Sequence, residues 1–312
     1  MNAENAAETR PTETAPSRSR LGNLLQEQSG LSEPRAQASG LRQSSTTSAS
    51  PAARKQFLED YRRIRYAEGR GSDDSAYYRA LPFRDLSGRN VAMWAMRART
   101  YSYFERNILA PIESEARRPL DILDLGAGNC WLSYRLSLRG HRPVALDMFV
   151  DARDGLGAAG HYPAPPLTVE ADFAQIPFSS LSFDLIIFNA SFHYSTDYLQ
   201  TLREVQRCLR PTGSVVILDS PLYRKREHGL RMVEERHEQF LKQYGFRSDA
   251  IPSLDFLDFA ALETLRREVG IHWRMFKPWY GLSWHVRPIK ARLKRKRPPS
   301  RFWILTGKFE SL

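Results

Sequence analysis

The 312-residue sequence predicts an α/β fold: a doubly wound, mostly parallel sheet with helices on both faces. Three observations predict it. A short apolar run, Ile122-Leu123-Asp124-Leu125, passes directly into Gly126 and Gly128 and then into a helical pattern. Further apolar runs return at 143–147, 167–171, 183–189 and 214–219, with helical spacing between them. One of these, Phe183 to Asn189, is almost continuously apolar with a polar end, as a strand covered on both faces requires.

Taken in order, the first fifty or so residues are dominated by Ser, Ala, Thr, Gln and Pro. So few large apolar side chains cannot offset the entropy of ordering, and residues 1–52 are expected to form a disordered tail. The tail carries acids as well as arginines and lacks an apolar core segment, so it reads as neither a secretory signal nor a transit peptide. Residues 53–118 are expected to form a helical cap. Within it Val91, Trp94, Met96, Tyr101, Phe104, Ile108 and Leu109 predict one helix from about Arg89 to Glu113. Tyr77, Tyr78 and Phe83 before it form either a lid or core. After the glycines, a helix is expected from about Cys130 to Leu138, then a strand from Pro143 to Asp147. Asp147 ends that strand roughly 20 residues beyond the glycines, where an acid can accept both hydroxyls of a ribose. Leu167 to Ala171 is the next strand, followed by Asp172 and Phe173. Leu199, Leu202, Val205 and Leu209 give a helix over Asp197 to Leu209, which Pro211-Thr212-Gly213 stops before the strand Ser214 to Asp219. Two more helices follow, Arg224 to Gly245 and Leu257 to Val269, the second capped by Gly270. Ile271 to Lys277 and Arg301 to Gly307 complete the strands.

The glycine turn is suited to a nucleotide, because a Cβ at either glycine would intrude on a closely approaching ligand. In a dinucleotide fingerprint a later glycine packs helix on strand, but bulky Trp131 holds that slot here, which argues against NAD. Over about Leu120 to Pro221 the chain instead resembles the class I S-adenosylmethionine (SAM)-dependent methyltransferases, within them the type 11 group. Asp124, Gly126 and Gly128 match the first motif, with Cys130 where its last glycine would stand. The resemblance implies a Rossmann-like sheet of seven strands, SAM as cofactor and a methyltransferase domain over 119–312. It places the last strand antiparallel, next to 271–277 at one edge, and their connection on the active-site side. It implies cofactor contacts from Asp124, Gly126, Gly128, Asp147, Met148, Asp172, Phe173 and Asn189. Asp147 would hold the ribose, Asp172 the adenine amino group and Phe173 the adenine ring, while the Cys130 side chain would lie beside the methionine end. The helix at 89–113 either packs on the sheet or caps the cofactor through Arg97, Arg99 or Tyr101. Residues 189–194 would line the methyl-transfer channel, making His193 and Tyr194 the catalytic candidates. Imidazole titrates near neutrality, so His193 is the candidate base, with a packing histidine as the alternative. The Asn-Pro-Pro-aromatic motif of nucleobase amino-methyltransferases is absent after the fourth strand, and no metal is expected.

The charge is local. Val269 to Phe309 holds eleven Lys or Arg and no acid, and the remainder balances at 35 of each sign, so the net +11 resides in that stretch. An insertion at 281–300 carries Leu282, Val286, Ile289 and Leu293 at helical intervals beside Arg287, Lys290 and Arg292, with Trp279 and Trp284 near and Pro288 interrupting. Nucleic acid, an anionic membrane surface or an acidic substrate could use such a patch, and the apolar spacing ranks a peripheral membrane contact above nucleic acid. A solubilising basic loop is the plain alternative. No run is long and apolar enough to span a membrane, and two cysteines far apart, Cys130 and Cys208, fit a reducing cytoplasm better than a disulfide framework. The expected function is methyl transfer to a small-molecule or lipid-like acceptor at oxygen, nitrogen or carbon. The alternative is a non-catalytic protein of the same fold that holds nucleic acid or membrane through its basic segment.

Overall fold

A computed structural model describes residues 50–247 and 252–310. The expected tail therefore lies outside the described residues, except that the first helix begins at Pro51 with Ser50 as its cap. Helices α1 (Pro51–Ala67), α2 (Ser75–Ala80), α3 (Val91–Phe104) and α4 (Ala110–Ala116) precede strand β1 (Asp121–Leu125). Then follow α5 (Trp131–Leu138), β2 (Arg142–Asp147), β3 (Leu167–Glu170), β4 (Phe183–Asn189), α6 (Tyr198–Cys208) and β5 (Leu209–Leu218). A small parallel pair, β6 (Leu222–Tyr223) and β7 (Leu257–Asp258), brackets α7 (Arg226–Tyr244). The chain closes with α8 (Phe259–Val269), β8 (Ile271–Phe276), α9 (Leu282–His285), α10 (Arg287–Leu293) and β9 (Ile304–Phe309). The main sheet has seven strands in the order β3-β2-β1-β4-β5-β9-β8. Pairing from β3 to β5 is parallel, and β9 runs antiparallel to both β5 and β8, as expected.

Alternation along the central strands divides the core. Ile122, Leu185, Ile187 and Val216 enter one apolar cluster with Trp94, Phe104, Leu132 and Leu136. Leu123, Ile186, Phe188 and Ile217 enter the other with Leu202, Val205, Leu262 and Leu265. Both faces are thus covered, which is why these strands read as unbroken apolar runs. Tyr77 and Tyr78 belong to the first cluster and are fully buried, so they are core, whereas Phe83 is half exposed. Cys130 and Cys208 are free and buried.

Boundaries differ from expectation where local chemistry competes. The helix expected over 89–113 is interrupted by one π-turn, Glu105–Leu109. Pro111 lies just beyond it, lacks the N–H that a continuous α-helix would use, and the wider turn absorbs the mismatch. Leu257 and Asp258 pair as β7 instead of opening a helix, because the Asp258 carboxylate accepts from the Ala261 N–H at 2.7 Å and so caps α8. Strand β5 starts at Leu209, which pairs with Phe183 across a register shift, so Pro211–Gly213 lies within the strand rather than before it. Arg301 bridges to Leu222 and leaves the last strand to begin at Ile304.

Candidate functional site

Strand order reverses between β1 and β4, and a crevice opens there beyond the carboxyl ends of the strands. It holds a cavity of about 500 Å³, within the usual range for a small-molecule site. The loop after β1 forms one wall. Gly126 has φ +72°, and a Cβ on it would lie 2.3 Å from the Ser191 Cβ. Ser191 is pressed close because its Oγ donates to the Leu125 carbonyl at 2.5 Å, so the loops after β1 and β4 meet only over a glycine. Gly128 has φ +53° and little around it; its N–H donates to Asp147 Oδ2 at 2.8 Å. The Phe149 N–H donates to Asp147 Oδ1 at 2.9 Å. Asp147 lines the cavity, where burial raises its carboxyl pKa and the Phe149 and Gly128 N–H groups oppose that rise.

Of the other residues expected to touch a cofactor, Gly126, Gly128, Met148, Asp172, Phe173 and Asn189 all line the same cavity. The Asn189 side-chain oxygen is buried at this wall without a hydrogen-bond partner among the described residues. Asp172 accepts from Arg54 Nη2 at 2.7 Å and from the Ala174 N–H at 2.9 Å, and the Phe173 ring meets Phe188 edge-on at 5.9 Å.

Three expectations are corrected. Asp124 is fully buried and does not reach the cavity; it accepts from the Ser133 hydroxyl at 2.8 Å and so ties β1 to α5. Burial pushes its pKa up to about 7 despite that hydrogen bond. Cys130 sits at the helix cap with φ +63°, and its side chain lies in the apolar core rather than beside a ligand. His193 is buried outside the cavity wall, with Nδ1 3.3 Å from the Ser220 hydroxyl and its ring 4.4 Å from the Tyr194 ring. Burial, together with the charges of Arg236 and Arg97, lowers its pKa to about 3, so the ring is neutral and weakly basic. Tyr194 does line the cavity. Among the three α3 candidates only Arg97 lines it; Tyr101 is buried behind Trp131, and the Arg99 guanidinium donates to the Tyr280 carbonyl. Trp131 itself forms part of the wall, edge-on to Trp94 with ring centres 6.1 Å apart.

Helix α1 falls almost wholly within the helical cap expected over 53–118, but none of its residues was expected at the site. Arg54, Phe57, Tyr61 and Arg65 recur at helical spacing, and all four line the cavity. The helix is fastened across it by Arg54 on Asp172, by Arg62 on Asp151 at 3.1 Å and by Arg65 on Asp154, with the Tyr66 hydroxyl also donating to Asp151. The signal for Arg54, Phe57, Tyr61 and Arg65 is the i, i+3, i+4 spacing of aromatic and basic side chains, which puts all four on one helix face.

The basic connection between β8 and β9 does emerge at the cavity end of the sheet, since Ile217 near the end of β5 pairs with Leu305 near the start of β9. None of its residues lines the cavity. No group of three or more His, Cys, Asp or Glu that could hold a metal ion occurs among the described residues, and no described helix is long and apolar enough to cross a membrane.

Residues 123–217 match the family model described as a methyltransferase domain. Curated relatives include a malonyl-[acyl-carrier protein] O-methyltransferase of Erwinia pyrifoliae, 32% identical over 101 residues, covering 31% of this chain and 36% of that protein. Another is the demethylmenaquinone methyltransferase of Mycobacterium marinum, 32% identical over 98 residues, covering 31% of this chain and 40% of that one. The chain thus spans well under half the length of these relatives. Among solved structures, the 1,6-didemethyltoxoflavin-N1-methyltransferase of Burkholderia thailandensis, bound to 1,6-didemethyltoxoflavin and S-adenosylhomocysteine, superposes with TM-score 0.47 at 16% identity, over 85% of this chain and 93% of that one.

Proposed function

We propose that this chain, whose residues 123–217 match the methyltransferase domain family model, transfers a methyl group from SAM to a small-molecule acceptor. The observation that carries the reading is the Asp147 carboxylate, which lines the cavity at the β1/β4 crevice and is fixed there by the Gly128 and Phe149 N–H groups. A ribose diol suits that carboxylate, and the orphaned Asn189 oxygen supplies an acceptor for a ligand N–H or O–H at the same wall. Bound SAM would supply a sulfonium-activated methyl group. In-line transfer of such a group needs chiefly an acceptor held close and aligned, with water excluded. Tyr61 and Arg65 from α1, Trp131 from α5 and Tyr194 after β4 enclose the cavity for that purpose. Burial raises the Tyr61 pKa, so its hydroxyl is a neutral donor. His193 packs behind Tyr194 and positions it, and alignment rather than a histidine base carries the reaction. The curated relatives named for malonyl-[acyl-carrier protein] and demethylmenaquinone support a small-molecule acceptor without specifying which.

A peripheral contact with anionic membrane is part of the proposal, and one observation favours it. Leu282, Ile289 and Leu293 are all exposed, at 75%, 61% and 79%, beside Lys290, Arg292 and Lys294. Apolar residues projecting next to cations suit the headgroup layer of a bilayer. The test of the core reading is calorimetry with SAM and NADH, followed by assay of S-adenosylhomocysteine release against a lysate metabolite fraction. Binding of SAM in preference to NADH, with turnover, is the expected result; preference for NADH refutes the reading.

A further inference from the structure

Two arginines of the basic connection differ from the cations around them. Lys290, Arg292, Lys294, Arg295 and Lys296 are exposed, as solvated surface charges are, whereas Arg287 and Arg297 are each partly buried. Arg297 donates from Nε to Glu235 at 2.6 Å and from Nη1 to the buried Tyr223 hydroxyl at 2.9 Å, which leaves Nη2 without a partner among the described residues. The Arg287 guanidinium has no ion pair or hydrogen bond among the described residues, and its Nη1 is buried. Arg153, Arg210 and Arg236 likewise bury a nitrogen that makes no hydrogen bond, but each stands in an ion pair, with Asp73, Asp184 and Asp255. Arg287 lies 3.7 Å over the centre of the Trp284 ring, which in turn meets the Tyr280 and Phe302 rings at 5.1 and 5.7 Å. The aromatic face fixes the guanidinium and occupies none of its five donors.

The two guanidiniums are near enough to repel. Burial lowers the Arg287 pKa, Tyr223 opposes the fall, and the Arg297 charge deepens it. The Ser300 hydroxyl joins the cluster by bonding that of Tyr223. Glu235, half exposed, is the one acid paired with either arginine, so the cluster holds an uncompensated positive charge in a partly desolvated place. Left empty it costs stability twice, through a shut-in donor without a partner and through like charges side by side. An anion with several acceptor oxygens relieves both. A carboxylate offers two oxygens on one plane, whereas a phosphate group offers three strong acceptors and up to nearly two negative charges, enough for two guanidiniums that approach from different parts of the chain.

We infer that Arg287 and Arg297, with the Tyr223 and Ser300 hydroxyls, form a binding site for a phosphate group, carried by a lipid headgroup or by a free phosphate compound. The site stands apart from the methyl-transfer reading, since none of these residues lines the cavity. Its test is calorimetric titration of inorganic phosphate into the full chain at constant ionic strength, for wild type, Arg287→Met, Arg287→Lys and Lys294→Gln. The same four proteins are floated on phosphatidic acid vesicles and on phosphatidylserine vesicles of equal surface charge. Wild type should bind phosphate, and Arg287→Met should weaken that binding by roughly tenfold or more, the usual loss for a charge-assisted hydrogen-bonded pair, with Arg287→Lys between the two. Lys294→Gln removes the same charge from an exposed position and should cost no more than about twofold. Affinity for S-adenosylhomocysteine should be alike in all four, as expected for residues outside the cavity. Arg287-dependent preference for phosphatidic acid vesicles supports the site and assigns the phosphate to a headgroup; Arg287-dependent phosphate binding without that preference supports it and assigns a free compound. Equal binding by wild type and folded Arg287→Met overturns the inference. So does an equal loss in Arg287→Met and Lys294→Gln, which would mean a diffuse field, or failure of wild type to bind either phosphate or phosphatidic acid. Should Arg287→Met fail to fold, the comparison of Arg287→Lys with Lys294→Gln decides. Arg287-dependent phosphate binding in a protein that takes up no S-adenosylhomocysteine refutes the methyltransferase reading and leaves the phosphate site standing.

Discussion

Asp147 is held by two backbone donors, Gly128 and Phe149, so its orientation does not depend on a ligand. Asp147→Ala should therefore weaken SAM binding by about 2–4 kcal/mol, the value of one or two charge-assisted hydrogen bonds, and calorimetry on the folded variant measures it. His193 provides a test of opposite kind. Its pKa lies near 3 in the folded chain, below the ordinary histidine value, so between these values the unfolded state binds the extra proton. Stability should fall as pH drops from about 6.5 toward 3, with a slope of up to about 1.4 kcal/mol per pH unit from this residue. Denaturant titrations across that range should show the slope reduced in His193→Gln. The rate should show no acid limb belonging to His193; a limb near pH 6.5 that vanishes in His193→Gln would make the ring a base after all.

Helix α1 forms the outer wall of the cavity and carries Arg54, Phe57, Tyr61 and Arg65 into it. Its tightest fastening is Arg65, mostly buried, on Asp154, which is almost wholly buried. Removing one partner leaves a desolvated carboxylate unpaired, so Arg65→Met should cost about 3–5 kcal/mol, felt first as opening of α1. Hydrogen exchange of the amides of residues 54–67 reads that opening directly. Faster exchange there, with β4 amides still protected, is the expected pattern; unchanged exchange would mean that packing of Phe57 and Tyr61 alone holds the helix. Strands β1, β2 and β4 were legible because burial on both faces leaves uninterrupted apolar runs, whereas α1 presents its apolar and basic residues to a cavity and looks polar in sequence.

For the whole molecule, the charge is the separable feature. The basic connection leaves the sheet at the cavity end without lining the cavity, so its role can be changed independently of the site. Arg297 is anchored on Glu235 at 2.6 Å and belongs to the fold. Replacing Lys290, Arg292, Lys294, Arg295 and Lys296 by Gln should leave SAM affinity nearly intact and weaken adsorption to phosphatidylserine vesicles by about 1 kcal/mol per charge at low salt. Sedimentation at two salt concentrations measures this. Equal sedimentation of variant and wild type removes the membrane contact, and a parallel loss of RNA or DNA binding would favour nucleic acid.

The sequence by itself determined the alternation of strands and helices, the glycine turn after β1, and Asp147 at the end of β2, because each depends on local periodicity or on a short fixed spacing. It also located the whole net charge in the stretch from Val269 to Phe309. Only the tertiary structure decided which side chains face the cavity. It turned Asp124 and Cys130 into the core, withdrew His193 behind Tyr194, and brought Arg97 and the α1 residues into the wall. The physical reason is that orientation depends on contacts made far along the chain. Arg65 meets Asp154, Thr100 meets Asp219 and Ser191 meets Leu125, and no local pattern in the sequence encodes those meetings.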